Sequence, residues 1–374
     1  MKIQCYGYFH TLGSIPIVAS NWIKVLAKHH DVKVHDYYDE GNRFDSIKQY
    51  MGDHETLAPV GIFFGYPSVM KKCGMLVNKH KYKIGVFTTE AKISSVEKSY
   101  LDQIQWNRIC IPSEYCRLLY STSMYFERLM VVQHGVNDVF TQERTERIAR
   151  DNDPFSFLYV FQNSETGGSV IRKNLDALLE AFAMIRKKHN CSLIIKTGSN
   201  FPFDVTSMEE KHPGVIIITR HFSLNEMVAL YRSHHAYINP TRAEGFGMTP
   251  LEAMACGVPV ISTIHSGLTE FLNEGNCIPI KHVPGTAKDT FRYATNDGTI
   301  FRVETEDIKN AMMECIENYE VHADIAKKNV ENVKENYSWE KVLSPILNVL
   351  NALNTMEPKS PLSSLCMAKS TIEI

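Results

Sequence analysis

Residues 239–270 read NPTRAEGFGMTPLEAMACGVPVISTIHSGLTE and hold the residue types suited to a phosphorylated guest. A strand ends near Pro240, and Glu244-Gly245-Phe246-Gly247 follows as a loop rich in small residues. Thr249-Pro250-Leu251-Glu252 then reads as a helix start, with Thr249 as N-cap, Pro250 at the first helical position and Glu252 closing a capping box. Glycines ahead of a helix N-terminus let backbone N–H groups approach an anion, and the helix dipole favours it, so a diphosphate is the natural guest. Each residue also has a plain structural reading. Glu252 can complete the box, Gly245 and Gly247 can serve a turn, and Glu244 can be a solvated loop carboxylate.

A second candidate is Arg172-Lys173-Asn174, ahead of a helix expected over 175–187 from the spacing of Leu175, Leu178, Leu179, Phe182 and Ile185. Cations at a helix start oppose the dipole, which disfavours a purely solvated role for the pair. Gly13-Ser14 follows the first expected strand and either offers a backbone N–H to a ligand or is an ordinary turn. Glu90, in Thr88-Thr89-Glu90 after another strand, either faces a cleft and moves a proton there or is a solvated loop carboxylate. His134 reads as structural. Asp151-Asn152-Asp153 matches a D-x-D metal pattern but falls in a charged stretch, so no essential metal is expected. Gly7 and Gly13 are wrongly spaced for G-x-G-x-x-G, which argues against a nicotinamide enzyme.

The elements that position these residues alternate. Strands are expected at 2–6, 32–35, 60–64, 84–87, 108–111 and 129–132, with a helix carrying Trp22, Ile23, Val25 and Leu26 after the first. Residues 138–153 are polar and rich in both charges and read as a linker. Strands then resume at 155–161, 191–196, 215–219, 236–239 and 258–262, and Ser223-Leu224-Asn225-Glu226 is a capping box. Strand–helix alternation implies parallel sheets covered on both faces. The expectation is α/β, in two Rossmann-like, doubly wound domains: 1–150, and 151–337. An amphipathic helix at about 338–354, with Val342, Leu343, Ile346, Leu347 and Leu350, returns to the first domain, and 355–374 is a loose tail.

Composition narrows the class. The chain has 374 residues, 44% hydrophobic and 22% charged, which fits a two-domain globular protein and excludes a disordered or fibrous one. A formal charge of −2 argues against nucleic acid as a partner. Nine scattered cysteines without a Cys-x-x-Cys pair read as buried thiols in a reducing compartment. No leader or membrane span is legible, so a soluble, cytoplasmic location is expected. Lys71, Lys72, Lys79, His80, Lys81 and Lys83, interrupted by Met75, Leu76, Val77 and Tyr82, form either a solvated charged face or a peripheral membrane contact.

The set Glu244-x7-Glu252 within EGFGMTPLEAMACGVPVI strongly resembles the signature of retaining glycosyltransferases of family 4, with the two-Rossmann GT-B fold. Ile111-Pro112-Ser113-Glu114 and His134-Gly135-Val136-Asn137 are consistent with it in the first half. The resemblance implies a cleft between the domains, with a nucleotide-diphosphate sugar held mainly by the second and a glycan or glycoconjugate acceptor by the first. It assigns Glu252 to the donor ribose, Glu244 to the sugar ring, Gly245, Phe246, Gly247 and Met248 to sugar hydroxyls, and Thr249 to a phosphate oxygen. Lys173, with Arg172 beside it, goes to the diphosphate, where family members often carry the arginine farther upstream and this chain has Gly167-Gly168. Gly13 and Ser14 approach the diphosphate or the acceptor, and His221 and Phe222 flank the base. The overall pattern is most similar to transfer of mannose from GDP-mannose. A UDP-glucose donor is the runner-up, and a non-catalytic nucleotide-sugar binding protein is the rival of another class. No cofactor is implied, and a homodimer is compatible.

Overall fold

The computed structural model describes residues 1–7, 9, 13–36, 45–66, 74–90, 93–120, 126–142, 154–162, 168–286 and 299–356. The first half builds β1 (Lys2–Gly7), β2 (Asp31–Asp36), β3 (Val60–Gly65), β4 (Tyr82–Phe87), β5 (Arg108–Ile111) and β6 (Leu129–Val131). The second builds β7 (Phe155–Val160), β8 (Cys191–Lys196), β9 (Val215–Ile218), β10 (Ala236–Asn239), β11 (Val260–Thr263) and β12 (Ile278–Ile280). Each set forms one six-stranded sheet, in the orders β2-β1-β3-β4-β5-β6 and β12-β11-β10-β7-β8-β9. Every pairing within them is parallel. This is the expected two-sheet α/β architecture.

Parallel strands buried on both faces need near-continuous apolar runs, and β3 (VGIFFG) and β10 (AYIN) are buried throughout. Helices cover both faces. Ser14–Ala27 buries Trp22, Ile23, Val25 and Leu26 on the first sheet, with the Trp22 ring edge-on to Phe64 at 5.7 Å. Leu175–Arg186 buries Leu175, Leu178, Leu179, Phe182 and Ile185 on the second. Among the described residues, Cys5, Cys110, Cys116, Cys191, Cys256, Cys277 and Cys315 are buried and form no disulfide.

Ligands of open α/β sheets bind beyond the carboxyl ends of the strands, where the strand order reverses. Those points lie between β1 and β3 in the first sheet and between β7 and β10 in the second. The return helix, Trp339–Met356, packs back against Ser14–Ala27, and the Val136 N–H donates to the Tyr337 carbonyl at 2.7 Å.

Several expectations need correction. Strand β12 and the antiparallel hairpin of β13 (Val283–Thr286) with β14 (Thr299–Arg302) were not legible, being only three or four residues each. The charged stretch does not begin as a free linker. Asp138–Thr141 is a helical turn with Phe140 buried against Tyr231, and Arg232 donates to the carbonyls of Phe140 and Gln142. In the basic stretch Val77 and His80 are buried, and His80 bonds the Tyr6 hydroxyl and the Ala58 carbonyl at 2.7 Å each. Part of that stretch is therefore core. Lys71, Lys72, residues 143–153 with the D-x-D run, Gly167 and the tail beyond 356 lie outside the described residues. Among the described residues, no helix is long and apolar enough to cross a membrane.

Candidate active site

Both reversal points open onto one cleft of about 800 Å³ between the two sheets. It is lined from the first half by Gly13, Ser14 and Glu90, and from the second by Arg172, Lys173, His221, Phe222, Glu244, Gly245, Phe246, Gly247, Met248, Thr249 and Glu252. All fourteen candidates named from the sequence thus stand around a single cavity.

Two helix N-termini face it. Ser14–Ala27 starts after Gly13 without a side-chain cap or an acidic first turn. Met248–Ala255 starts after Gly247, also without either. Uncapped N–H groups in that position suit an anion.

The second start differs from the expected capping box. Gly247, not Thr249, is the N-cap, at φ 100°, in the left-handed region open to glycine. A Cβ there would also meet Leu268 Cδ2 at 2.4 Å. With the helix beginning at Met248, Thr249 lies inside its first turn, and its Oγ1 accepts from the Tyr237 hydroxyl at 2.7 Å. Glu252 does not reach back to a cap. Its Oε2 accepts from the Tyr231 hydroxyl at 2.9 Å. Burial pushes the Glu252 carboxyl up to about 7, against the lowering effect of that bond.

Arg172 and Lys173 also sit differently from the reading above. Arg172 ends a short helix, Gly168–Arg172, where the dipole favours a cation. Asn174, at φ 61°, then turns the chain into Leu175–Arg186. The junction aims both cations at Glu244. Lys173 Nζ pairs with Glu244 Oε1, and Arg172 Nη1 lies 3.2 Å from Glu244 Oε2. Burial alone would raise the Glu244 carboxyl. The two cations overcome it and hold the group below its ordinary value. Burial lowers Lys173 despite its carboxylate partner, whereas Glu90 and Glu244 together outweigh burial and raise Arg172.

Backbone bonds fix the same loop. The Glu244 N–H donates to Ser266 Oγ at 3.0 Å, and the Gly267 N–H donates to the Glu244 carbonyl at 2.9 Å. Arg172 Nη1 also donates to the Ala243 carbonyl at 2.7 Å, and the Arg242 N–H to the Arg172 carbonyl at 2.8 Å. The late hairpin contributes as well, since the Phe301 N–H donates to the Arg242 carbonyl and its ring stacks on His265 at 4.0 Å.

The two sheets meet at this loop. Ser113 Oγ donates to the Gly245 carbonyl at 2.7 Å and accepts from the Cys116 N–H. The Glu114 N–H and Gln133 Nε2 each donate to the Glu270 carboxylate at 2.7 Å. The run at 111–114 is therefore a seam between the halves. His134 sits on the same seam, 5.1 Å from the Phe246 ring, where burial pushes its imidazole down to about 3 and keeps it neutral. Glu90, from the end of β4, lies 3.4 Å from Arg172 Nη2. On the far wall the Phe222 ring carries Arg220 at 4.0 Å and Lys196 Nζ at 5.1 Å.

Sequence reading missed Tyr231, Tyr237, Ser266 and Lys196. The tyrosines look like ordinary apolar members of a helix and a strand, and only their hydroxyls' distant partners distinguish them. Among the described residues, no group of three or more His, Cys, Asp or Glu is arranged to hold a metal ion.

Residues 166–315 match the family model described as glycosyl transferases group 1. A probable sucrose-phosphate synthase of Thermosipho melanesiensis is 26% identical over 245 residues, covering 62% of this chain and 49% of that protein. The lipopolysaccharide core biosynthesis mannosyltransferase LpsB of Rhizobium meliloti is 48% identical over 46 residues, 12% of this chain and 13% of that protein. The chain thus spans about half the length of the first relative and a smaller part of the second. Among solved structures, Anabaena Alr3699/HepE, determined with UDP and glucose, superposes with a TM-score of 0.72 at 13% identity, covering 94% of this chain and all of that one. The two-sheet fold is thus shared with Alr3699/HepE, and residues 166–315 are similar to the glycosyl transferases of group 1.

Proposed function

We propose that this protein is a retaining, metal-independent glycosyltransferase that moves a hexose from a nucleotide-diphosphate sugar to a glycan or glycoconjugate acceptor. The observation that carries the proposal is the pairing of Arg172 and Lys173 on Glu244 at the N-terminus of Met248–Ala255, inside a cleft between two Rossmann-like sheets. Breaking the bond from the anomeric carbon to the phosphate leaves its electron pair on the diphosphate. Two fixed cations and uncapped backbone N–H groups can stabilise that charge without a metal. Glu252 takes the ribose hydroxyls, and His221 and Phe222 take the base.

Glu244 acts as a sugar ligand. Both its oxygens are engaged by cations, which weakens it as a covalent nucleophile. The acceptor hydroxyl then attacks from the face the diphosphate leaves, and its proton passes to the departing phosphate oxygen. The new bond keeps the configuration of the old one.

Mannose from GDP-mannose is the donor of this reading, supported by the sequence pattern and by the short stretch in common with the mannosyltransferase LpsB. A UDP-glucose donor is the second reading, favoured by the UDP and glucose held in the structurally similar Alr3699/HepE. Secondary expectations are a cytoplasmic location, a peripheral membrane contact through Lys79, Lys81 and Lys83, and a homodimer. Vesicle co-sedimentation and light scattering test the last two.

Calorimetric titration with a panel of nucleotide sugars, with and without Mg²⁺, tests the central reading. GDP-mannose is expected to bind equally well in excess chelator. Binding to none of the panel would remove the donor site. A requirement for Mg²⁺ would refute the metal-free chemistry, and binding without turnover across an acceptor series would favour the non-catalytic alternative.

A further inference from the structure

Arg172 is shared between two carboxylates of very different tenure. Its Nη1 faces Glu244 Oε2 at 3.2 Å and donates to the Ala243 carbonyl at 2.7 Å. Its Nη2 lies 3.4 Å from Glu90 Oε1. The Glu244 side chain is 8% exposed, is paired with Lys173 as well, and sits on a loop tied down by Ser266 and Gly267. Glu90 comes from the other sheet, its side chain is 27% exposed, and Arg172 is its cationic partner among the described residues. The Tyr115 hydroxyl donates to the Glu90 carbonyl at 3.1 Å, so the backbone at 90 is held independently of where the carboxylate goes.

We infer that Glu90 competes with the donor diphosphate for the Nη2 edge of Arg172, so that donor entry and release of the Glu90 carboxylate are a single exchange. This rests on the reading of Arg172 and Lys173 as the diphosphate site. A phosphate and a carboxylate both take the planar guanidinium edge, and they cannot share one N–H fork without like-charge repulsion. The more exposed carboxylate, on one contact from across the cleft, is the one that yields. Its departure breaks one tie between the halves and leaves an unpaired carboxylate on the acceptor side. The exchange therefore favours donor binding before acceptor binding.

The test is calorimetric titration of GDP and UDP, without acceptor, into the full chain and its Glu90→Gln and Glu90→Ala variants. The isosteric variant keeps the shape at 90 and removes the charge. The alanine variant removes the carboxylate altogether. Both are expected to bind the preferred diphosphate about two- to tenfold more tightly, the scale of a partly exposed ion pair plus relief of repulsion. A merely structural role would weaken binding, so a gain is diagnostic. If the wild-type chain binds and either variant binds equally or more weakly, the exchange is overturned while the diphosphate site stands. If the wild-type chain binds neither probe, the diphosphate site falls and the exchange with it.

Discussion

The Tyr231 hydroxyl donates to Glu252 Oε2 at 2.9 Å, joining the helix Leu224–Arg232 to the helix that follows the glycine loop. Glu252 is thereby held at the cleft wall with its carboxyl raised to about 7 by burial, well above the ordinary 4.5. The unfolded chain releases this proton near 4.5 and the folded chain near 7, so between those values the folded state binds more protons. Its contribution to stability is complete below the lower value and is lost as pH rises through the upper one. Glu252→Gln is expected to flatten the dependence of the unfolding midpoint on pH across that window, as measured by chemical denaturation. A variant that keeps the wild-type slope would show that another group carries it. If Glu252 takes the donor ribose as an ionised carboxylate, as proposed, donor affinity is expected to rise over the same window. Tyr231→Phe removes a lowering influence and should move that rise to higher pH.

Lys173→Ala strands Glu244 beside Arg172 alone and, on the proposed reading, removes a cation from the leaving diphosphate. Turnover should fall by about a hundredfold or more, the scale seen when one preorganised charge-stabilising group is deleted. Stability should fall by roughly 3 kcal/mol, the cost of breaking one side of a buried ion pair. Steady-state rates and denaturant curves report the two separately, and full activity in the variant would exclude Lys173 from the chemistry.

Gly245 and Gly247 are constrained for different reasons. A Cβ at 245 would meet Thr88 Oγ1 at 2.4 Å and the Thr89 carbonyl at 3.1 Å, contacts that come from the opposite half. A Cβ at 247 would combine φ 100° with the clash on Leu268. Gly247→Ala is expected to destabilise the fold by about 1–3 kcal/mol through strain and crowding. Gly245→Ala should act chiefly on the approach of the halves, weakening donor binding with a smaller change in melting temperature. Equal losses of stability in the two variants would contradict this distinction.

Ser113→Ala deletes a hydroxyl that both caps Glu114–Leu119 and donates to the Gly245 carbonyl. The loss of a cap together with a buried interdomain bond should cost about 1–2 kcal/mol. Because Gly245 belongs to the proposed donor loop, nucleotide-sugar affinity should fall as well. Ser113→Thr keeps the hydroxyl and is expected to recover much of both effects.

The amino-acid order by itself determined whatever depends on a few neighbouring residues. Apolar runs such as VGIFFG and AYIN marked buried parallel strands. The spacing of Leu175, Leu178, Phe182 and Ile185 marked a helix face, and Ser223 with Glu226 formed the capping box that their types dictate. Residue types and spacing, together with the resemblance they carry, also singled out Glu244, Glu252, Arg172 and Lys173. Thr249-Pro250-Leu251-Glu252 misled because the hydroxyl and the carboxylate that would close a capping box are taken by Tyr237 and Tyr231 instead. Those tyrosines, and Leu268 against Gly247, approach from elsewhere in the chain.

Tertiary structure decided the partnerships. Lys173 and Glu244 are 71 residues apart, and Ser113 and Gly245 are 132 apart. The second sheet's order, with β7 beside β10, brings the first pair together, while packing of the two sheets across the cleft brings the second. Ion pairing and desolvation depend on distance in space, which no local spacing encodes. Hence the raised carboxyl of Glu252 and the doubly held carboxylate of Glu244 emerge only in the folded second half, and the reach of Glu90 to Arg172 only once the two sheets face each other.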